Sequence, residues 1–241
     1  MQKKPILILQ STSVAQPGAI LSVLRRLGIP WHIVSAADRH QPPACIRDWS
    51  GLVLLGGALS ANDDTPWVNA VLHLTRQALA ADVPVMGHCL GAQLLSKAAG
   101  AVVTKSPYTE IGWHELSVVD ASRSAEWFGV QSGPFSVFQW HSEQFSLPNE
   151  AHLLLSSEAC AHQAYVLADT HIAMQFHLEI TPEMIMAFIK NSGHRIAEEL
   201  GRGNAFIHTE EQIMAGVPQH IPAMQTMVSV LYARWARSLQ Y

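Results

Sequence analysis

Residues 83–96 read Val-Pro-Val-Met-Gly-His-Cys-Leu-Gly-Ala-Gln-Leu-Leu-Ser. An apolar stretch, Val83 to Met86, runs into Gly87-His88-Cys89-Leu90-Gly91 and then into helix-forming residues. The chain has only three cysteines in 241 residues, and this one stands between two glycines where a strand gives way to a helix. A sharp strand-to-helix turn strains the residue at its apex and needs small neighbours. Glycine removes the Cβ atoms that would clash there. The turn sets Cys89 at the N-terminus of the next helix, whose partial positive charge favours a thiolate. Leu90 offers a backbone N–H to a developing oxyanion. An arbitrary cysteine is most often an inert core thiol. The flanking glycines at this junction make Cys89 a candidate nucleophile instead.

The surrounding chain repeats the strand-then-helix pattern. Pro5–Gln10, Trp31–Val34, Gly51–Gly56 and Val83–Met86 read as short apolar strands, and 18–27, 67–79 and 90–98 carry helical spacing. Such alternation implies right-handed βαβ units and a parallel sheet. Continuously apolar strands imply that both faces of the sheet are covered. The expected fold is therefore α/β, a three-layer sandwich with a mostly parallel central sheet. From about residue 101 the pattern shifts to short strands that suit antiparallel hairpins: 113–119, 135–140, 151–155, 165–168 and 172–177. Thr181-Pro182 opens a helix, with Thr at the N-cap and Pro at the first helical position. Thr209 and Gln212 are placed as a capping box for a last helix running through Met224, Val228 and Leu231. No linker divides the chain, so residues 1–241 are expected to form one domain, with C-terminal helices over about 181–241.

Composition narrows the function. The formal net charge is −4 and the hydrophobic fraction 49%, with no long basic run, which argues against nucleic acid or an anionic membrane as partner. No apolar run approaches the roughly 20 residues that a membrane span needs. The apolar run after Lys4 is too short for a signal-peptide core. Cys45, Cys89 and Cys160 are odd in number and far apart, which suggests no disulfide framework and a reducing, cytoplasmic setting. The 13 histidines show no paired ligand spacing. His141-x-Glu143 repeats a His-x-Glu pattern, but no metal and no organic cofactor is expected.

A thiolate nucleophile needs a base. Residues 174–180 read Met-Gln-Phe-His-Leu-Glu-Ile. At a strand end, His177 and Glu179 would lie on one face, with Glu179 orienting and charging the imidazole. In α/β-hydrolases the acid precedes the histidine, whereas here Glu179 follows it.

Taken together, "LLGGALSANDDTPW", "GHCLGAQLL", "EIGWHEL", "FQWHSEQFSLP" and "QFHLEITPEM" resemble, in that order, the class I glutamine amidotransferase family. The similarity is closest to its free-standing GMP synthase-like members and to the related γ-glutamyl peptidases, and covers about residues 5–190. The resemblance implies that Cys89 is the nucleophile, His177 the base and Glu179 its orienter. It implies an oxyanion hole from the N–H groups of Gly57 and Leu90, and a role for Gln93 in holding the substrate's α-amino-acid end. Trp140 and His141 fall in stretches resembling the substrate-side segments, as does Trp113, although these residues also read as core aromatics and a surface histidine. Ala58 stands where many members carry proline, and His88 where many carry an aliphatic residue. On an alternating strand His88 faces away from Cys89 and reads as structural. The implied activity is hydrolysis of the γ-amide of glutamine, a small-molecule substrate, with the ammonia passed to a synthetase subunit in trans. Hydrolysis of small γ-glutamyl compounds fits a self-contained chain equally well. A third reading, a catalytically silent binding or regulatory subunit, is opposed by the intact Cys89, His177 and Glu179.

Overall fold

A computed structural model describes residues 4–240. Met1 to Lys3 and Tyr241, which the one-domain expectation includes, lie outside the described residues. Among the described residues, nine strands form one sheet: β1 (Ile6–Gln10), β2 (Trp31–Ser35), β3 (Gly51–Leu54), β4 (Val85–His88), β5 (Val103–Val118), β6 (Phe135–Phe145), β7 (His152–Ser156), β8 (Ala164–Leu167) and β9 (His171–Met174). Their order is β2-β1-β3-β4-β9-β8-β7-β5-β6. The five strands from β2 to β9 pair in parallel. The remaining strands extend the sheet with antiparallel pairs.

Alternate residues of the central strands feed opposite cores, as the two-residue repeat of a strand requires. Ile6, Ile8, Val53, Met86, Ile172 and Met174 share one core with helices α1 (Ile20–Leu27), α4 (Ala121–Phe128), α5 (Pro182–Ser192) and α7 (Glu210–Trp235). Leu7, Leu9, Leu52, Leu54, Val85 and Ala173 share the other with α2 (Pro66–Ala80) and α3 (Leu90–Ala98). Helix, sheet and helix make the three layers, and the molecule is an α/β sandwich.

Local signals set the helix ends. The Thr181 side chain accepts from Met184 N–H ahead of Pro182. The capping box of Thr209 and Gln212 is formed in both directions at the start of α7. Several boundaries differ from the sequence expectation. β5 starts at Val103 rather than Trp113, because its first half pairs with the far end of β6 around a bulge between Lys105 and Glu110. Asp120 caps α4 by accepting from Arg123 N–H, and Gly129 ends it at φ 74. The helix opened at Thr181 breaks at Gly193, and α6 (His194–Gly201) follows. β9 ends at Met174, so His177 and Glu179 lie in irregular chain beyond the strand instead of on it.

Candidate active site

The carboxyl ends of β3, β4 and β9 converge, which is where open α/β sheets hold their ligands. Cys89 follows β4 and caps α3 with φ 50 and ψ −109. That positive φ on a non-glycine residue costs on the order of 1–3 kcal/mol and persists only where its surroundings enforce it. Two hydrogen bonds do so. Cys89 N–H donates to Met174 O at 2.8 Å, and Cys89 O accepts from Gln93 N–H at 3.1 Å. The flanking glycines serve close approach. A Cβ on Gly87 would lie 2.5 Å from Gly91 O, and one on Gly91 would strike the backbone of Leu54. The sequence therefore puts glycine where α3 presses on β3 and β4, and leaves the strained backbone to the cysteine.

His177 is anchored by its N–H, which donates to Phe138 O at 2.9 Å. Its Nδ1 lies 2.6 Å from Glu179 Oε1, while Nε2 is buried with no hydrogen-bond partner. Phe138 and Phe188 meet the imidazole edge-on. Burial disfavours the imidazolium, but the Glu179 carboxylate and the adjacent Cys89 outweigh it, and the His177 pKa is raised to about 10. Burial would also push the Glu179 carboxyl up. The imidazoles of His177 and His88 reverse this and hold it well below its ordinary value. The nitrogen that lacks a partner is the one available to a thiol or a departing amine. Gln175 Nε2 donates to Cys89 Sγ at 3.7 Å, a contact that favours negative charge on sulfur. Nothing in its sequence position marks Gln175.

Gly57 follows β3. A Cβ on Gly56 would come 2.9 Å from His177 Cε1, and one on Gly57 would strike Ser11 Oγ. Ser11 donates to Gly56 O at 2.8 Å and so fixes this turn. The N–H of Leu90 belongs to the first turn of α3, where no intrahelical acceptor exists. Gly57 and Leu90 thus bring backbone to the Cys89 side of the cleft.

Two cavities meet at Cys89, with Gly57, Ala58, Trp140 and Arg195 bordering both. The larger, about 460 Å³, is lined by Gln93, His141 and Glu143 and by charged groups of both signs, among them Lys105 and Glu198. The smaller, about 320 Å³, holds His177, with Val14, Ala15 and Phe188 as apolar wall and Thr12 and Asn191 as polar groups. Gln93 is buried, and its amide nitrogen donates to Glu143 O (3.1 Å) and Gln175 Oε1 (3.3 Å). That commits the donor end to the protein and leaves the amide oxygen as the end able to meet an ammonium. His141 is buried rather than a surface residue. Its Nε2 lies 2.9 Å from Glu110 Oε2 and its Nδ1 3.0 Å from Glu143 O. Gln163 also donates to Glu110 at 2.8 Å. Burial opposes the charge on Glu110, but the His141 imidazole more than offsets it, and its carboxyl is held below its usual value. Trp113 packs in the core, its indole N–H donating to Ile213 O, away from both cavities.

Among the described residues, no group of three or more His, Cys, Asp or Glu side chains is placed to hold a metal ion, and no helix is long and apolar enough to cross a membrane. His88 lies at the end of β4. It is buried, and its Nδ1 lies 3.0 Å from Glu179 Oε2.

Known proteins share this architecture. Glutamine amidotransferase-like protein YfeJ of Salmonella typhimurium is 30% identical over 192 residues, 78% of this chain and 79% of that protein. A glutamine-hydrolyzing GMP synthase subunit of Thermoplasma acidophilum is 30% identical over 161 residues, 66% of this chain and 76% of that one. The crystal structure of a glutamine amido transferase from Methylobacillus flagellatus matches with a TM-score of 0.94 at 37% identity, covering 99% of this chain and 96% of that one. A model of the family glutamine amidotransferase class-I matches residues 17–195, and the chain belongs to that family.

Proposed function

We propose that this chain hydrolyses γ-glutamyl amides, glutamine first among them, through a thioester on Cys89. The observation that carries the reading is Cys89 held at positive φ where two cavities meet, beside a buried imidazole whose Nε2 has no partner. The Cys89 thiolate attacks the γ-carbonyl carbon, and the carbonyl electron pair moves onto oxygen, where the N–H groups of Gly57 and Leu90 stabilise it. Collapse of this intermediate breaks the C–N bond, and His177 Nε2–H protonates the departing nitrogen. Water, losing a proton to His177, then attacks the thioester and releases glutamate and the thiolate. Glu179 orients His177 and stabilises the imidazolium. The larger cavity, with charges of both signs, suits the zwitterionic end of a glutamyl group, with Gln93, Trp140 and His141 in its wall. The chain is an amidotransferase-type cysteine hydrolase in this reading, and it needs no cofactor for the hydrolytic half-reaction.

The kinship with a glutamine-hydrolyzing GMP synthase chain supports delivery of ammonia to a synthetase subunit in trans. A second reading rests on the 320 Å³ cavity beside His177. Ammonia fills about 30 Å³, the volume share of a molecule the size of water. The rest of that space admits a larger amine, so γ-glutamyl peptides are the alternative substrates. Glutamate release by the purified chain from glutamine and from γ-glutamyl dipeptides tests both readings. Turnover of either substrate that vanishes in Cys89→Ala supports the mechanism, and the better substrate decides between the two readings. Turnover that survives Cys89→Ala refutes the mechanism.

A further inference from the structure

Glu179 has two carboxylate oxygens and is 1% exposed. Oε1 faces His177 Nδ1. Oε2 faces His88 Nδ1 at 3.0 Å, off the axis of an ideal hydrogen bond. On the far side of the ring, His88 Nε2 lies 3.1 Å from the Tyr232 hydroxyl, and the two rings stack at 15°. His88 and Tyr232 are both fully buried. A line of contacts therefore runs from His177 through Glu179 and His88 to Tyr232. Its last member stands on α7, outside the residues 17–195 that match the family.

We infer that His88 and Tyr232 are positioning residues, which hold the second oxygen of Glu179 and thereby set the tautomer and charge of His177. The inference rests on the hydrolytic reading above. Proton placement carries it. Burial raises the Tyr232 phenol well above its ordinary range, so the hydroxyl keeps its proton and can donate it to His88 Nε2. With Nε2 accepting that bond, His88 carries a proton on Nδ1, facing Glu179. The opposite tautomer would set a lone pair against a carboxylate 3.0 Å away. With a donor at each oxygen, Glu179 stays ionised in an apolar pocket and keeps the proton of His177 on Nδ1, leaving Nε2 toward Cys89. The titratable groups that face this line are Cys89, His177, Glu179, His88 and Tyr232.

The test is the pH dependence of Cys89 alkylation by iodoacetamide, read by peptide mapping, which needs no substrate, together with kcat and KM for glutamate release. Tyr232→Phe keeps the ring and removes only the hydroxyl. It should lower kcat about tenfold with KM within about twofold, and move the acid limb of Cys89 alkylation to higher pH. His88→Leu should do the same more strongly. His88→Asn, whose amide can donate to Oε2, should recover part of the limb. Adding Tyr232→Phe to His88→Leu should change nothing further, because the link is already cut. Should Tyr232→Phe fail to fold by circular dichroism, His88→Asn against His88→Leu gives the same comparison. An unmoved acid limb, a rise in KM alone, or additive losses in the double variant overturns the inference while wild-type behaviour stays normal. Failure of the hydrolytic reading would show in the wild type itself, as no selective reactivity at Cys89.

Discussion

Gly91→Ala isolates the packing that builds the elbow. An added Cβ would sit 2.5 Å from Leu54 C and 2.7 Å from Leu54 Cβ, and closer still to Leu54 O, where ordinary contact begins at 3.4 Å. Leu54 is the last residue of β3, a buried strand paired on both sides. It cannot yield, so α3 must rise from the sheet by about 1 Å, the difference between the ordinary contact and the one imposed. Overpacking of this kind costs roughly 3 kcal/mol. For a chain of this size that is a fall in Tm of about 10 °C. The same shift carries Leu90 N–H and Cys89 away from Gly57, and a misplacement of about 1 Å costs on the order of 100-fold in kcat. Differential scanning calorimetry and glutamate release measure the two effects. Gly201→Ala, with no atom within 4 Å of its added Cβ, is the control and should leave both unchanged. A Gly91→Ala protein with wild-type Tm and kcat would refute the claim that α3 is held by glycine contact.

Three further outcomes follow from the site. A glutamine-like electrophile should label Cys89 and leave the exposed Cys45 and the buried Cys160 untouched, since burial and the Glu110 charge push the Cys160 thiol up to about 12; equal labelling of all three by peptide mapping contradicts the assignment. Gln93→Ala should raise KM about tenfold while iodoacetamide alkylation of Cys89 stays within about twofold; an unchanged KM removes Gln93 from substrate binding. In denaturant unfolding, the stability of the wild type relative to Glu179→Gln should be greatest between pH 4.5 and 6.5, the ordinary values of the two groups. The lowered carboxyl loses its advantage as pH falls below that window, and the raised imidazole loses its own as pH climbs toward about 10. A difference that is flat with pH would show that the pair is not ionised.

The parallel half of the sheet is legible because its strands are apolar without interruption and its helices carry caps and spacing. The elbow is legible because Gly87 and Gly91 have no other use at a strand-helix junction. The antiparallel half is harder to read. β5 is one strand of sixteen residues, but polar residues such as Lys105, Ser106 and Glu110 break its apolar pattern, and the buried Glu110 is satisfied by His141, Gln163 and Ser157. A strand's two-residue repeat predicts the approach of His177 to Glu179, yet β9 stops at Met174, and the bond from His177 N–H to Phe138 O holds the segment instead. The place of His88 is hidden for a related reason. Alternation along β4 turns it from Cys89, but its partners come from an irregular segment and from α7, which no local pattern connects to β4.

The thioester itself is open to observation by acid-quenched mass spectrometry of the chain turning over a γ-glutamyl amide. The mechanism predicts a glutamyl adduct on the peptide that carries Cys89, absent from the Cys45 and Cys160 peptides and lost on treatment with hydroxylamine. Steady glutamate release with Cys89 unmodified throughout, and undiminished when Cys89 is replaced by alanine, would contradict it.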